Sequence, residues 1–387
     1  MPYNIGIDAR KIHDFGIGTY IRQLVRGLAA IDHENRYVLF AGQKRRDALS
    51  DLPDNFQVVT ESAPPYSIRE LVGLSWQQFR LKLDLYHATH YVLPAFNVSR
   101  IVVTIHDIIH LLYPEFLPSR LAFFYAQRMI RRSLTRGDRI IAVSQTTKAD
   151  LMRYFNVGGR KIQVIYNGVQ ESFRERLSHE QLKRWQQNLG IRAPYLLFVG
   201  NPKPHKNLDN VIRAYARARQ LHSFDAPLVC VGDRGQGEAR IRQLAAQLGV
   251  ADRVQLLGHV AQEALPAIYQ GASLFLYPTL YEGFGLPVIE AMASGVAVVT
   301  SNTSALKEIA KGYAHLVDPL DVEAMAKAIV QCLVDEEHRE ALARLGLRRA
   351  EDFRWQNTAQ KTLKAYMSAL RGKTPAKNPG GAGADAR

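Results

Sequence analysis

The chain has 387 residues, long enough for two domains with separate cores, and its 47% hydrophobic content is ordinary for a globular protein. A net charge of +14 directs it towards anionic partners, yet no nucleic-acid motif or basic run interleaved with stacking aromatics occurs, and no apolar run approaches the ~18–20 residues of a membrane span. The chain opens without a basic and apolar leader, and its two cysteines, Cys230 and Cys332, offer neither a disulfide framework nor a zinc pattern, so a reducing cytoplasm is the expected address.

Short apolar runs alternate with helical patterns throughout, which reads as βα units building parallel sheets. Strands are expected over 3–8, 37–40, 56–59, 84–87, 101–105, 139–143 and 161–165. After a charged stretch over 171–187 they resume at 195–199, 227–231, 254–257, 274–277 and 296–299. Helices are expected over 20–30, 324–333 and 353–370, and the Gly-, Pro- and Ala-rich tail over 372–387 is expected to be disordered. Two doubly wound domains fit this pattern, with ligands at the carboxyl ends of the strands, facing a cleft between the domains.

Gly16-Ile17-Gly18 precedes the first expected helix. A dinucleotide fingerprint would need a third glycine where Ile21 stands, so a hydride-transfer reading fails. His106 ends the apolar run 101–105, the place where sheets of this kind carry their sites. Its neighbours His87, His90 and His110 have metal-like spacings, but with no helix to align them and no acidic partner motif a zinc centre is disfavoured, and His110 is expected behind the site or in the core. The segment 120–132 mixes Phe123, Phe124 and Tyr125 with arginines at helical spacing. It suits either an interfacial helix on anionic lipid or an amphipathic helix packed on its own sheet.

The run Tyr281-Glu282-Gly283-Phe284-Gly285-Leu286-Pro287-Val288-Ile289-Glu290 follows an apolar strand and leads into a helix with Pro287 in its first turn. The N–H groups of Gly283, Phe284, Gly285 and Leu286 then form an anion site that two glycines leave open to a phosphate. Glu282 and Glu290 flank it. Carboxylates do not suit phosphate, so they are expected to accept hydrogen bonds from hydroxyls. A diphosphate between two hydroxylated rings is a nucleotide sugar.

This spacing of Glu282 and Glu290 around Gly-Phe-Gly-Leu-Pro resembles the signature of retaining glycosyltransferases of the GT-B fold, family 4. The likeness extends over nearly the whole chain, from Gly6-Ile7-Asp8-Ala9-Arg10 and Gly16-Ile17-Gly18-Thr19-Tyr20 through Thr104-Ile105-His106-Asp107, Val143-Ser144-Gln145-Thr146-Thr147 and Tyr166-Asn167-Gly168-Val169 to Val199-Gly200-Asn201-Pro202-Lys203-Pro204-His205-Lys206-Asn207. It implies an α/β GT-B fold with an acceptor-binding domain over 1–170, a nucleotide-sugar domain over 171–352 and a helix over 353–371 crossing back to the first domain.

It also implies His106, Glu282 and Lys206 as catalytic groups. Donor binding then falls to Gly16, Gly18, Asn201, Lys203, Lys206, Gly283, Phe284, Gly285, Leu286 and Glu290. Many members carry arginine where Asn201 stands, which leaves Lys203 or His205 as the second phosphate cation. No Asp-x-Asp occurs anywhere, so no metal or other cofactor is expected; Lys206 and the helix N-terminus meet the diphosphate charge. Further runs, such as His106-Asp107-Ile108-Ile109-His110 and Asn302-Thr303-Ser304-Ala305-Leu306-Lys307-Glu308, resemble bacterial mannosyltransferases of O-antigen or exopolysaccharide synthesis. They favour GDP-mannose and a glycan or lipid-linked acceptor at the inner membrane face. UDP-glucose, UDP-GlcNAc and dTDP-rhamnose stay open as donors. A nucleotide-sugar epimerase on the same fold, or a non-catalytic polyanion or membrane binder, is the alternative.

Overall fold

The computed structural model describes residues 1–42, 51–60, 68–96, 99–117, 119–232, 235 and 237–371. The first domain runs β1 (Asn4–Asp8), α1 (Phe15–Ile31), β2 (Arg36–Ala41), β3 (Phe56–Thr60), α2 (Ile68–Arg80), β4 (Leu85–Ala88), β5 (Arg100–Ile105), α3 (Ile109–Leu112), α4 (Arg120–Arg136), β6 (Arg139–Ala142), α5 (Gln145–Phe155) and β7 (Ile162–Val164). The second runs α6 (His179–Leu189), β8 (Leu196–Val199), α7 (Leu208–Leu221), β9 (Leu228–Val231), α8 (Glu238–Gln247), β10 (Val254–Gly258), α9 (Leu265–Gln270), β11 (Leu274–Tyr277), α10 (Leu286–Ala293), β12 (Val298–Ser301), α11 (Ser304–Ala310), β13 (His315–Val317), α12 (Val322–Val334) and α13 (Glu336–Ala350). Helix α14 (Trp355–Arg371) ends the described chain.

Each domain is built on a parallel sheet, ordered β3-β2-β1-β4-β5-β6-β7 in the first and β10-β9-β8-β11-β12-β13 in the second. Helices cover both faces, so the central strands are apolar along their length; β9, β11 and β12 are buried at every position. Local sequence starts the helices. Ser144 accepts from the Thr147 N–H at the start of α5, Asp321 caps α12 through the Ala324 N–H, and Ser178 with Gln181 forms a capping box on α6.

Helix α14 packs on the first sheet. Trp355, Ala359 and Tyr366 share a core with Leu24 and Leu28 of α1 and with Ile5 and Ile7 of β1. The two chain crossings between domains run side by side, with the Val169 N–H donating to the Phe353 carbonyl at 3.0 Å. Behind them Tyr366 Oη lies 2.6 Å from His87 Nδ1, and His87 Nε2 lies 2.8 Å from Thr104 Oγ1. Burial pushes His87 down to about 3, so it stays neutral and holds α14 to β4 and β5.

The structure differs from the sequence reading at several points, and β12 sits two residues later than expected. Helix α1 begins at Phe15, so Gly16 and Gly18 lie in its first turn and not in a loop ahead of it. Strand β13, three residues at the sheet edge opened by His315, carries no apolar run to mark it. Helix α13 buries only Leu342, Gly346 and Ala350 among charged residues and shows no apolar stripe. The tail over 372–387 lies outside the described residues.

Candidate active site

Strand order reverses between β1 and β4 in the first sheet and between β8 and β11 in the second. Loops leaving neighbouring strands at such a point diverge and open a crevice. The two crevices face one another across a cleft of about 620 Å³, lined by residues that include Gly16, His106, Asn201, Lys206, Gly283, Phe284, Gly285, Leu286 and Glu290.

Lys206 follows β8 and Glu282 follows β11, the two strands at the second reversal. Lys206 Nζ lies 2.7 Å from Glu282 Oε1 and 3.0 Å from Tyr277 Oη, and Tyr277 donates its own proton to Glu282 Oε1 at 3.0 Å. Burial alone would depress the ammonium. The Glu282 carboxylate, helped by Tyr277, reverses that and holds Lys206 protonated above its ordinary range. The sequence reading gave Lys206 to phosphate and Glu282 to sugar hydroxyls separately; in the fold they form one charge-compensated unit.

Beside this unit the chain turns into α10. Gly285 has φ +104°, and a Cβ there would also lie 2.4 Å from Leu306 Cδ2, so both backbone and space require glycine. At Gly283 a Cβ would lie 1.9 Å from the His106 carbonyl oxygen of the opposite domain. Thr147 Oγ1 donates at 3.2 Å towards both the His106 and Gly283 carbonyls, which ties the domains together at the cleft floor. Tyr281 to Asp150 (2.6 Å) and the Glu308 carboxylate on the Gln145 and Thr146 N–H groups add further interdomain bonds. Among the described residues, the N–H groups of Gly283, Phe284, Gly285 and Leu286 have no protein acceptor, and all four residues line the cleft.

Glu290, in the second turn of α10, accepts from Tyr269 Oη at 3.0 Å. Burial lifts its carboxyl to about 7, against the opposing effect of that hydrogen bond. His106 Nε2 lies 3.0 Å from the Thr89 carbonyl, which fixes the proton there and leaves Nδ1 as the acceptor. Burial lowers its pKa, against the raising effects of the Thr89 bond and Asp107, and Tyr20 meets the ring edge-on at 4.9 Å.

Not every residue singled out in the sequence reaches the cleft. Gly18 lies against the Ile12 carbonyl, and Lys203 is exposed; neither is among the lining residues. Burial, with Lys206 beside it, takes His205 down to about 4, so without a bound anion it is uncharged near neutral pH. Arg22, which the sequence did not single out, lines the cleft and is held by the Ile12 carbonyl and by Thr19 Oγ1 at 3.1 Å. Tyr277 and Thr147 were also given no role; the signal for Tyr277 was its place at the carboxyl end of an apolar strand. His87, His90, His106 and His110 form no cluster of metal donors among the described residues.

Residues 16–173 match Glycosyltransferase Family 4, and residues 180–348 match Glycosyl transferases group 1. The chain is 29% identical over 365 residues to O-antigen chain mannosyltransferase B of Escherichia coli, covering 91% of this chain and 95% of that one. It is 30% identical over 242 residues to O-antigen chain mannosyltransferase RfbU of Salmonella typhimurium, covering 62% of each. Among solved structures, sucrose-phosphate synthase from Thermosynechococcus elongatus matches with a TM-score of 0.79 at 22% identity, over 96% of this chain and 100% of that one. Anabaena HepE in complex with UDP-glucose matches at 0.78 and 19%, over 95% and 100%. The fold is thus GT-B, and with both of its domains matched the chain belongs to the family 4, group 1 glycosyltransferases.

Proposed function

We propose that this glycosyltransferase moves mannose from GDP-mannose, with retention of anomeric configuration and without a metal, onto a glycan or lipid-linked acceptor in cell-surface polysaccharide synthesis. The observation that carries the chemistry is the Lys206–Glu282 pair beside the open N–H groups of α10, across the cleft from His106. The names of the Escherichia coli and Salmonella relatives support the sugar and the pathway class.

In this reading the diphosphate lies between the α10 N-terminus, Lys206 and Arg22. As the glycosidic bond to the leaving phosphate breaks, charge grows on that phosphate, and these groups stabilise it. A phosphate oxygen takes the proton of the acceptor hydroxyl as the new bond forms on the same face of the sugar. Glu282 accepts from sugar hydroxyls and Glu290 from the ribose. His106, uncharged and held by Thr89, lies beside the sugar. Incubating the purified protein with GDP-mannose, UDP-glucose, UDP-GlcNAc and dTDP-rhamnose, with and without acceptor extract, tests this. Acceptor-dependent release of GDP is expected; turnover of a different donor would overturn the assignment of mannose, and conversion without acceptor would favour an epimerase.

We also propose peripheral, reversible docking on anionic membrane. Among the described residues no helix is long and apolar enough to cross a membrane. Trp76 and Phe79 on α2, Phe96, and Leu121 and Phe124 on α4 are exposed, with Arg128 and Arg131 exposed beside the last two. The loop carrying Phe96 joins these helices: its N–H donates to Ser75 Oγ, and Arg132 donates to the Pro94 and Ala95 carbonyls. Arg132 is therefore spent on the fold, as is Arg139 on Ser368, which narrows the basic surface that the sequence suggested.

A further inference from the structure

Three residues from three consecutive elements meet at the edge of the second domain. His315 opens β13, Cys332 lies in α12 and His338 lies in the first turn of α13. One ligand atom from each, two ring nitrogens and the Cys332 sulfur, lie within 4.8 Å of one another. The trio owes nothing to the donor site: none of its members lines the cleft.

The local chemistry is unusual for a structural core. Cys332 is fully buried, and His338 Nε2 is buried without a hydrogen-bond partner. An imidazole nitrogen in that position is normally satisfied, because an unpaired buried polar atom is costly. The two imidazoles stand edge to face, with centroids 5.9 Å apart and planes at 88°. Their backbone supports are fixed: Asp335 Oδ1 accepts from the His338 N–H at 2.9 Å, and Arg339 Nη1 donates to the Cys332 carbonyl at 3.1 Å.

We propose that His315, Cys332 and His338 form a zinc-binding site that clamps α12 and α13 to β13. Three atoms at this spacing leave a point within roughly 2.8 Å of all of them, so side-chain shifts of under about 1 Å reach the ~2.0–2.3 Å bonds of zinc to nitrogen and sulfur. One thiolate and two imidazoles suit zinc better than magnesium or calcium, which take oxygen donors. On binding, the Cys332 thiol releases its proton to solvent as the zinc–sulfur bond forms, and His338 Nε2 gains the partner it lacks. Water completes the fourth position.

The test uses full-length, untagged protein stripped with chelator, then given Zn²⁺ or Co²⁺ and dialysed. One retained equivalent per chain is expected, with a thiolate-to-cobalt charge-transfer band in the near ultraviolet and a higher Tm with zinc. Cys332→Ser should abolish the band, and Cys332→Ser and His338→Gln should each weaken binding about tenfold or more. Circular dichroism and nucleotide affinity check that the variants fold; if Cys332→Ser does not, the partly exposed His315→Gln and His338→Gln carry the comparison. No retained metal, a cobalt spectrum without the thiolate band, or unchanged affinity in the folded variants would overturn the site.

Discussion

Lys206 Nζ lies 2.7 Å from Glu282 Oε1. The cation expected on the leaving phosphate and the carboxylate expected on the transferred sugar therefore position one another. Lys206→Met and Glu282→Gln should each lower the transfer rate by on the order of 10²–10³. The double variant should lose little more than the worse single one, since each single change leaves the other group mispaired. Lys206→Met should also weaken GDP binding, measured by calorimetry. Fully additive losses would show two independent roles.

Glu290 gives a pH signature. Its folded pKa of about 7 is above the ordinary carboxyl value, so the folded state binds more protons than the unfolded state between those two values. Stability should fall as pH rises through that window and stay lower above it. Glu290→Gln, which mimics the protonated form, should raise Tm at alkaline pH by an amount worth at most about 3 kcal/mol and change it little in acid. Donor KM should rise as pH drops below about 7 and Glu290 stops accepting from the ribose. A Tm difference independent of pH would refute the assignment.

Gly283 holds the two domains in contact. A methyl group 1.9 Å from the His106 carbonyl forces them apart by over an ångström, and such a misplacement costs about 10²-fold in rate. Gly283→Ala should therefore lose activity while circular dichroism shows both domains folded. Thr147→Val, which removes only the bridging hydroxyl, should do less damage.

EDTA should leave transfer largely intact, because no Asp-x-Asp pair is present and the cleft offers Lys206 and Arg22. It should lower Tm by stripping the site at Cys332. Complete loss of transfer, restored by Mg²⁺ or Mn²⁺, would show that a metal carries the diphosphate.

Co-sedimentation with vesicles checks the membrane surface. Binding should require anionic lipid and weaken with salt, at about 1 kcal/mol per basic residue engaged. Trp76→Ser with Phe79→Ser, and separately Arg128→Glu, should reduce it without altering nucleotide affinity. Equal pelleting with neutral lipid, or none with either, would point to an acceptor free in solution.

Much of the fold and part of the site lay open in the sequence by itself. Strands buried on both faces must be short apolar runs, so twelve of them could be read within a residue or two, and the Gly283–Leu286 turn stood out through its two glycines and the proline that follows, where φ +104° at Gly285 requires glycine. What only the tertiary structure decided depends on separations that no local pattern encodes. It joined Lys206 to Glu282 and Tyr277, took Arg132 out of the surface, turned His205 neutral by burial, and brought Arg22 into the cleft. The same reason explains His315, Cys332 and His338: their spacing matches no metal motif along the chain, and they meet because α12 packs on the edge strand β13 and α13 packs on α12.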